Sequence, residues 1–167
     1  MMTAGLGLEG AYGRTSERIK AQGGQKSRLG IAALMWVGSL ERPLRAVELC
    51  HALAVEAGST DYHVNSTSSI RTMLICCQRL VVVDKKGSAV QLVHFTLQEY
   101  LTSHPDLFPS PDAAMAETCL TYLNSRHVIA LLGSNPQGLN THPFSNILLC
   151  AGETTRRDSL IAGKRLH

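Results

Sequence analysis

The sequence is poor in aromatic residues, which make up 5% of its 167 residues, and in charged residues, which make up 17%. Few aromatics argue against an all-β sandwich, whose strands are usually rich in Tyr, Phe and Trp. A membrane-spanning helix needs about 20 consecutive apolar residues, and every apolar run in the sequence is much shorter. The N-terminus lacks the pattern of a secretory signal. Hydrophobic residues still make up 44% of the chain, enough for a packed core. These features predict one cytoplasmic domain with no membrane association.

The positive charge is small and unevenly placed. Residues 1–145 carry a net charge of +1, and residues 146–167 carry +2. A nucleic-acid binder needs a clustered basic face to contact phosphates. The near-neutral charge of residues 1–145 therefore argues against a nucleic-acid partner.

The cysteines and histidines form no ligand pattern. The chain has five cysteines, at positions 50, 76, 77, 119 and 150, and none of them has zinc-type C-x-x-C spacing. The sequence also lacks an H-E-x-x-H motif and a serine hydrolase elbow. We therefore predict reduced, buried thiols, no metal and no enzymatic activity.

Hydrophobic periodicity predicts a mainly α chain. Two β-branched runs, 80–83 and 89–93, flank a glycine-containing turn and predict a β-hairpin. Three helices followed by such a hairpin are the element order of a winged helix, and further helices and a disordered C-terminal tail follow it. Helices are predicted over residues 8–21, 26–40, 44–57, 68–78, 95–103 and 112–123.

Two glycine-rich segments resemble nucleotide-binding loops without fulfilling their requirements. Residues 5–10, GLGLEG, match the dinucleotide fingerprint, but only four residues precede them and no strand can form there. We expect this segment to be a frayed terminus. Residues 23–27, GGQKS, lack the glycine that directly precedes the lysine of a phosphate loop. The chain is therefore predicted to need no cofactor and to neither bind nor hydrolyse ATP.

His94 is the one residue whose position suggests a site. In the stretch VHFTLQEYL, residues 93–101, it lies at the predicted junction between the hairpin and a helix. Backbone N–H groups at a helix N-terminus favour an anion. The alternative is that the histidine bonds the backbone of its own junction.

From Leu8 to about Leu132 the chain resembles the winged-helix region that follows the NACHT nucleotide-binding domain of fungal NLR-like signalling ATPases, which often end in ankyrin repeats. The same region is often labelled the GPI inositol-deacylase winged-helix domain. The matching stretches are residues 7–37, 41–61, 93–109 and 116–124.

This resemblance implies a regulatory domain that packs on a NACHT nucleotide-binding domain or another protein surface. In such ATPases a histidine at the hairpin-to-helix position contacts the β-phosphate of ADP in the resting state. His94 matches that position, although Val93 and Phe95 replace the Met and Asp that flank it in the family motif. The chain is then expected to be a fragment without the ATPase, and the face that packed on its neighbour is expected to be exposed, so that self-association follows.

DNA binding is the alternative function for a winged helix. The third helix provides Arg71 and Arg79, and the hairpin turn provides Lys85 and Lys86. These four cations are few for a specific DNA interface.

The domain boundaries follow from the same patterns. Residues 1–25 are predicted as an N-terminal helix and linker, 26–104 as the winged-helix domain, 105–132 as a helical extension and 133–167 as an irregular tail. The resemblance ends near Pro143 and Phe144, and we hypothesise that residues from about Ser145 are translated out of frame.

Overall fold

The computed structural model describes residues 4–40, 42–55, 68–84 and 88–134, and it shows a mainly helical chain with one small sheet. The predicted winged helix is confirmed, since three helices, Gly24–Ser39, Ala46–Ala54 and Ile70–Cys76, precede the hairpin formed by Val81–Val83 and Ala89–Leu92. The helices are α1 (Ala4–Ala21), α2 (Gly24–Ser39), α3 (Ala46–Ala54), α4 (Ile70–Cys76), α5 (Phe95–Ser103), α6 (Pro111–Leu123) and α7 (Arg126–Ser134). The strands are β1 (Leu44–Arg45), β2 (Val81–Val83) and β3 (Ala89–Leu92), and a 3₁₀ turn, Pro105–Leu107, follows α5.

The sheet has a third strand that the sequence did not predict. The strand order is β1-β3-β2 and both pairings are antiparallel. Val90 on the central strand faces Leu44 on one side and Val83 on the other. Residues 44 and 45 were predicted as the start of a helix; that was wrong, because two residues are too short for a periodic signal and only pairing with β3 makes them a strand.

The ends of several helices also differ from the prediction. The helix α1 begins at Ala4, so residues 5–10 are helical rather than a frayed terminus. The helix α3 ends at Ala54 rather than at residue 57. The helix α7 was not predicted as a separate element, and it continues through Ser134, two residues into the predicted tail. The rest of that tail, residues 135–167, lies outside the described residues, as does the out-of-frame hypothesis.

The core surrounds α2, which contacts α1, α3, α4, α6 and β3. The single tryptophan of the chain, Trp36, lies on this helix and is 2% exposed. Burying a large apolar side chain stabilises a fold by roughly 1.5–3 kcal/mol. Ala33 is also buried, and Leu34 is buried on another side of the helix. A helix buried on several sides is the central element of the domain.

Gly30 marks the place where α1, α2 and α4 meet. A Cβ atom at this position would lie 2.6 Å from the carbonyl oxygen of Cys76 and 2.7 Å from Cγ2 of Ile19. Both distances are shorter than van der Waals contact, so only glycine allows this close approach. The packing of the three helices therefore depends on the absence of a side chain at position 30.

Candidate functional site

His94 lies at the N-terminus of α5 and caps it. Its backbone is extended, with φ of −157° and ψ of 151°, and its Nδ1 accepts a hydrogen bond from the Thr96 backbone N–H at 3.3 Å. The Thr96 hydroxyl lies 2.9 Å from the same nitrogen and 2.8 Å from the hydroxyl of Tyr12 on α1. The histidine therefore bonds the backbone of its own junction, as the alternative interpretation of the sequence predicted. The cap also leaves the other ring nitrogen for a second contact.

The cap determines which ring nitrogen carries the proton. An imidazole nitrogen that accepts a hydrogen bond has no proton, so the neutral His94 ring carries its proton on Nε2. The residue as a whole is exposed. His94 thus presents one N–H donor on the side of the ring opposite the cap.

The surface beside His94 is apolar. The ring of Phe95 lies against the imidazole, with centroids 4.4 Å apart and planes inclined by 36°. Phe95 is 68% exposed and Val93 is 47% exposed. Large exposed apolar side chains that flank a polar group are typical of a protein contact surface.

A groove of about 180 Å³ lies next to this junction. It is formed by the C-terminal end of α2, the residues that lead into β1, the strand β3 and the start of α5. Gln98 donates a hydrogen bond to the Gly38 carbonyl oxygen and so ties α5 to α2. The polar residues that line the groove are Arg42, Gln91, His94 and Gln98.

Arg42 is the residue of this groove that the sequence did not indicate. It stands between Glu41 and Pro43, where the only signal was a helix break. Its guanidinium lies 3.4 Å from Oε2 of Glu48. Arg42 thus adds a cation to the groove that contains His94, a juxtaposition that depends on the loop between α2 and β1.

Glu48 holds that loop in place from inside the fold. Its side chain is fully buried, yet it accepts hydrogen bonds from the Arg45 backbone N–H at 2.8 Å and from Arg45 Nε at 2.9 Å. A buried carboxylate is costly unless several donors satisfy it. Arg45 is not a usual N-cap residue, although glutamate three positions after the cap is the capping-box pattern, which was the available signal.

The cations predicted for DNA contact are partly described. Arg71 lies exposed on α4, and Arg79 lies exposed just beyond it with a φ of 68°. Lys85 and Lys86 lie outside the described residues. The helix α4 has seven residues and also exposes Ile75, at 60%. The DNA contacts stay a prediction.

The thiols are confirmed as buried and unpaired at positions 50, 76, 77 and 119, whereas Cys150 lies outside the described residues. Burial, together with the neighbouring Cys76, raises the pKa of Cys77 to about 12, and burial raises the pKa of Cys119 to about 11. These two groups stay protonated at neutral pH and are poor nucleophiles.

Within residues 4–40, 42–55, 68–84 and 88–134, no three His, Cys, Asp or Glu side chains lie close enough to hold a metal ion. Among the helices in these ranges, none is both long and apolar enough to cross a membrane.

Comparison with known proteins gives one finding. The family model described as GPI inositol-deacylase, winged helix domain matches residues 17–115, well over half of the chain. No curated protein and no solved structure matches the chain. The matched range includes the winged helix and the His94 junction, so the chain belongs to the GPI inositol-deacylase winged helix domain family.

Proposed function

We propose that this winged helix is a non-catalytic regulatory domain that packs on a NACHT-type nucleotide-binding domain and contacts the terminal phosphate of bound ADP through His94. The observation that carries this function is the cap at α5. Because Nδ1 accepts from Thr96 N–H, the ring is oriented and the Nε2 proton is directed away from the helix.

The cap also orients the His94 imidazole, although this sequence lacks the aspartate of the family motif. The family motif has an aspartate after the histidine, whereas this chain has Phe95. Thr96 holds the imidazole instead, since its backbone N–H and its hydroxyl both lie within hydrogen-bond distance of Nδ1. A donor whose orientation is already set loses less conformational entropy on binding a phosphate oxygen.

The charges around His94 support an anionic ligand. The α5 N-terminus contributes a partial positive charge, and Arg42 lines the same groove as His94. The exposed faces of Phe95 and Val93 would pack on the surrounding protein surface and exclude water. An anion site surrounded by apolar side chains suits a nucleotide phosphate buried at a domain interface better than it suits a free ion in solvent.

DNA binding remains the alternative, and it uses a different surface. It would place α4 in a major groove, with Arg71 as the basic residue on that helix. The exposure of Ile75 on α4 counts against that role of the helix, because an isoleucine adds nothing to phosphate binding.

The test is binding of the purified chain to an immobilised NACHT-type nucleotide-binding domain loaded with ADP or with a non-hydrolysable ATP analogue. We expect tighter binding to the ADP form and a loss of about tenfold for His94→Asn, which keeps a capping side chain but lacks the reach of Nε2–H. Ile75→Ala is the matched control and should bind like the unmodified chain. Equal binding to both nucleotide forms, or an unchanged affinity of His94→Asn, would contradict the function.

A duplex DNA titration of the same preparation tests the alternative. We expect no shift of a labelled duplex at physiological salt. Saturable binding that weakens for Arg71→Ala would instead favour a DNA-binding winged helix.

A further inference from the structure

A pocket of about 310 Å³ lies between α1 and α5 and shares no residue with the groove at His94. The helix α1 contributes residues 8, 9 and 12, and α5 contributes residues 96, 99, 100 and 103. The spacing of three and four residues places the α5 side chains on one face of that helix. The volume is at the small end of the range of ligand pockets and is enough for one long side chain.

The pocket has a carboxylate on each wall. Glu9 lies on α1 and Glu99 lies on α5, and both residues are exposed. Glu9 has His104 beside it, with 3.8 Å between Oε1 and Nε2, and no Lys or Arg in the described parts of the chain forms an ion pair with either glutamate. Two carboxylates that line one small space repel each other unless a cation lies between them. The pocket therefore attracts a cation.

A tyrosine hydroxyl without a hydrogen-bond partner opens into the same space. Tyr100 lines the pocket and is 8% exposed, and its hydroxyl has no partner in the parts of the chain that the structure describes. Buried tyrosine hydroxyls usually have one. Among the described residues only Ser16 has a fully enclosed polar side-chain atom without a partner, so the Tyr100 hydroxyl is not sealed in the core. It can accept a hydrogen bond from a group bound in the pocket.

The pocket is open to solvent and adjoins the His94 junction. Its carboxylates are exposed, whereas pockets for small molecules usually enclose most of the ligand. Thr96 lines the pocket, and its hydroxyl lies 2.9 Å from Nδ1 of His94. Phe95, between them in the chain, is 68% exposed. An open pocket beside an exposed apolar side chain fits one side chain of a protein whose other contacts lie on the neighbouring surface.

We infer that this pocket binds the guanidinium of an arginine side chain presented by a partner protein. Glu9 and Glu99 accept its N–H groups from the two walls, and the Tyr100 hydroxyl accepts a further one. Leu8, which is 45% exposed, and the ring of Tyr12 cover the methylene stem. A guanidinium has five N–H donors in one plane, so it reaches acceptors on both walls at once, whereas an ammonium is a compact and more strongly hydrated charge. This contact does not depend on whether His94 also contacts a nucleotide.

Titration of the isotope-labelled full chain with a blocked tripeptide, acetyl-Ala-Arg-Ala-amide, tests the pocket by NMR. We expect saturable shifts of the backbone signals of residues 8–12 and 96–103. The same peptide with citrulline, which has the shape of arginine without its charge, should not bind. The lysine peptide should bind more weakly than the arginine peptide.

Two substitutions that keep the shape of the side chain identify the acceptors. Glu99→Gln and Tyr100→Phe should each weaken binding of the arginine peptide about threefold. Glu117→Gln, at an exposed glutamate on α6, is the matched control and should bind like the unmodified chain. Circular dichroism should show that all three variants are folded.

Signals of the unmodified chain that shift without saturation would overturn the arginine pocket. Equal affinity for the arginine and citrulline peptides, or for the arginine and lysine peptides, would also overturn it. So would an equal effect of Glu99→Gln and Glu117→Gln, since that result would indicate attraction to the overall charge of the chain rather than binding between α1 and α5.

Discussion

The Nδ1 atom of His94 accepts a hydrogen bond from the backbone N–H of Thr96, with a distance of 3.3 Å between the two nitrogens. One side chain therefore caps α5 with one nitrogen and presents a donor with the other. Under the proposed function the two nitrogens have separate roles, one in stability and one in partner contact. Substitutions that keep or remove the capping acceptor can measure these roles independently.

Replacement of His94 by alanine should lower the free energy of unfolding by about 1 kcal/mol, because the α5 N-terminus loses its capping acceptor. His94→Asn should stay within a few tenths of a kcal/mol of the unmodified chain, since asparagine is a favourable N-cap residue. Urea denaturation followed by circular dichroism measures both values. Equal destabilisation by the two substitutions would contradict the prediction that the capping acceptor is what stabilises α5.

Replacement of Glu48 by glutamine should lower the free energy of unfolding by about 1–3 kcal/mol. The carboxylate accepts one bond on each oxygen from Arg45, and glutamine would turn one acceptor into a donor that faces another donor. The exposed ion pair between Lys20 and Glu17 provides the control. Glu17→Gln should change stability by less than about 0.5 kcal/mol, and a comparable loss in both variants would contradict the special role of the buried residue.

Two glycine-to-alanine substitutions should have opposite effects. Gly30→Ala should destabilise the fold by about 2 kcal/mol or more, because its Cβ would lie 2.6 Å from the Cys76 carbonyl oxygen. Gly7→Ala, in α1 with no atom within 4 Å of its Cβ, should stabilise by roughly 0.5–1 kcal/mol through higher helix propensity. Thermal unfolding of the two variants in parallel provides the measurement. A stable Gly30→Ala protein would mean that α1 and α4 can separate without loss.

Stability should fall at alkaline pH because of Cys77. Its thiol has a pKa of about 12 in the fold, raised by burial from the ordinary value of 9.0. Between these values the unfolded chain releases the proton and the folded chain keeps it, so the free energy of unfolding decreases as pH rises. Below about pH 9 this contribution is fully present.

The measurement is urea denaturation at about pH 8 and about pH 10.5, with Cys77→Ala as the comparison. Lysine and tyrosine groups titrate in both proteins. The free energy of unfolding changes with pH in each, and the difference between the two pH dependences therefore reports on the Cys77 thiol. We expect the unmodified chain to lose more stability than the variant over this interval. Identical slopes would contradict the raised pKa.

The local sequence predicted the elements that carry their own signal. The β-branched runs around a glycine-containing turn predicted the hairpin, which lies at Val81–Val83 and Ala89–Leu92. The helix predicted over residues 95–103 has the same bounds in the structure. The position of His94 at a helix start could therefore be derived from sequence, because it depends only on where the hairpin ends and α5 begins.

Long-range packing decided the rest. The two residues of β1 form a strand only because β3 lies beside them. Glu48, in the first turn of α3, can be buried because Arg42 and Arg45 bring donors to its carboxylate. The groove that joins Arg42 to His94 combines residues about fifty positions apart in sequence. Hydrophobic periodicity reports which face of an element is buried, but it does not report which elements meet. The sequence by itself thus determined the winged-helix element order and the place of the capping histidine, whereas tertiary packing decided which distant residues surround it and the charges they bring.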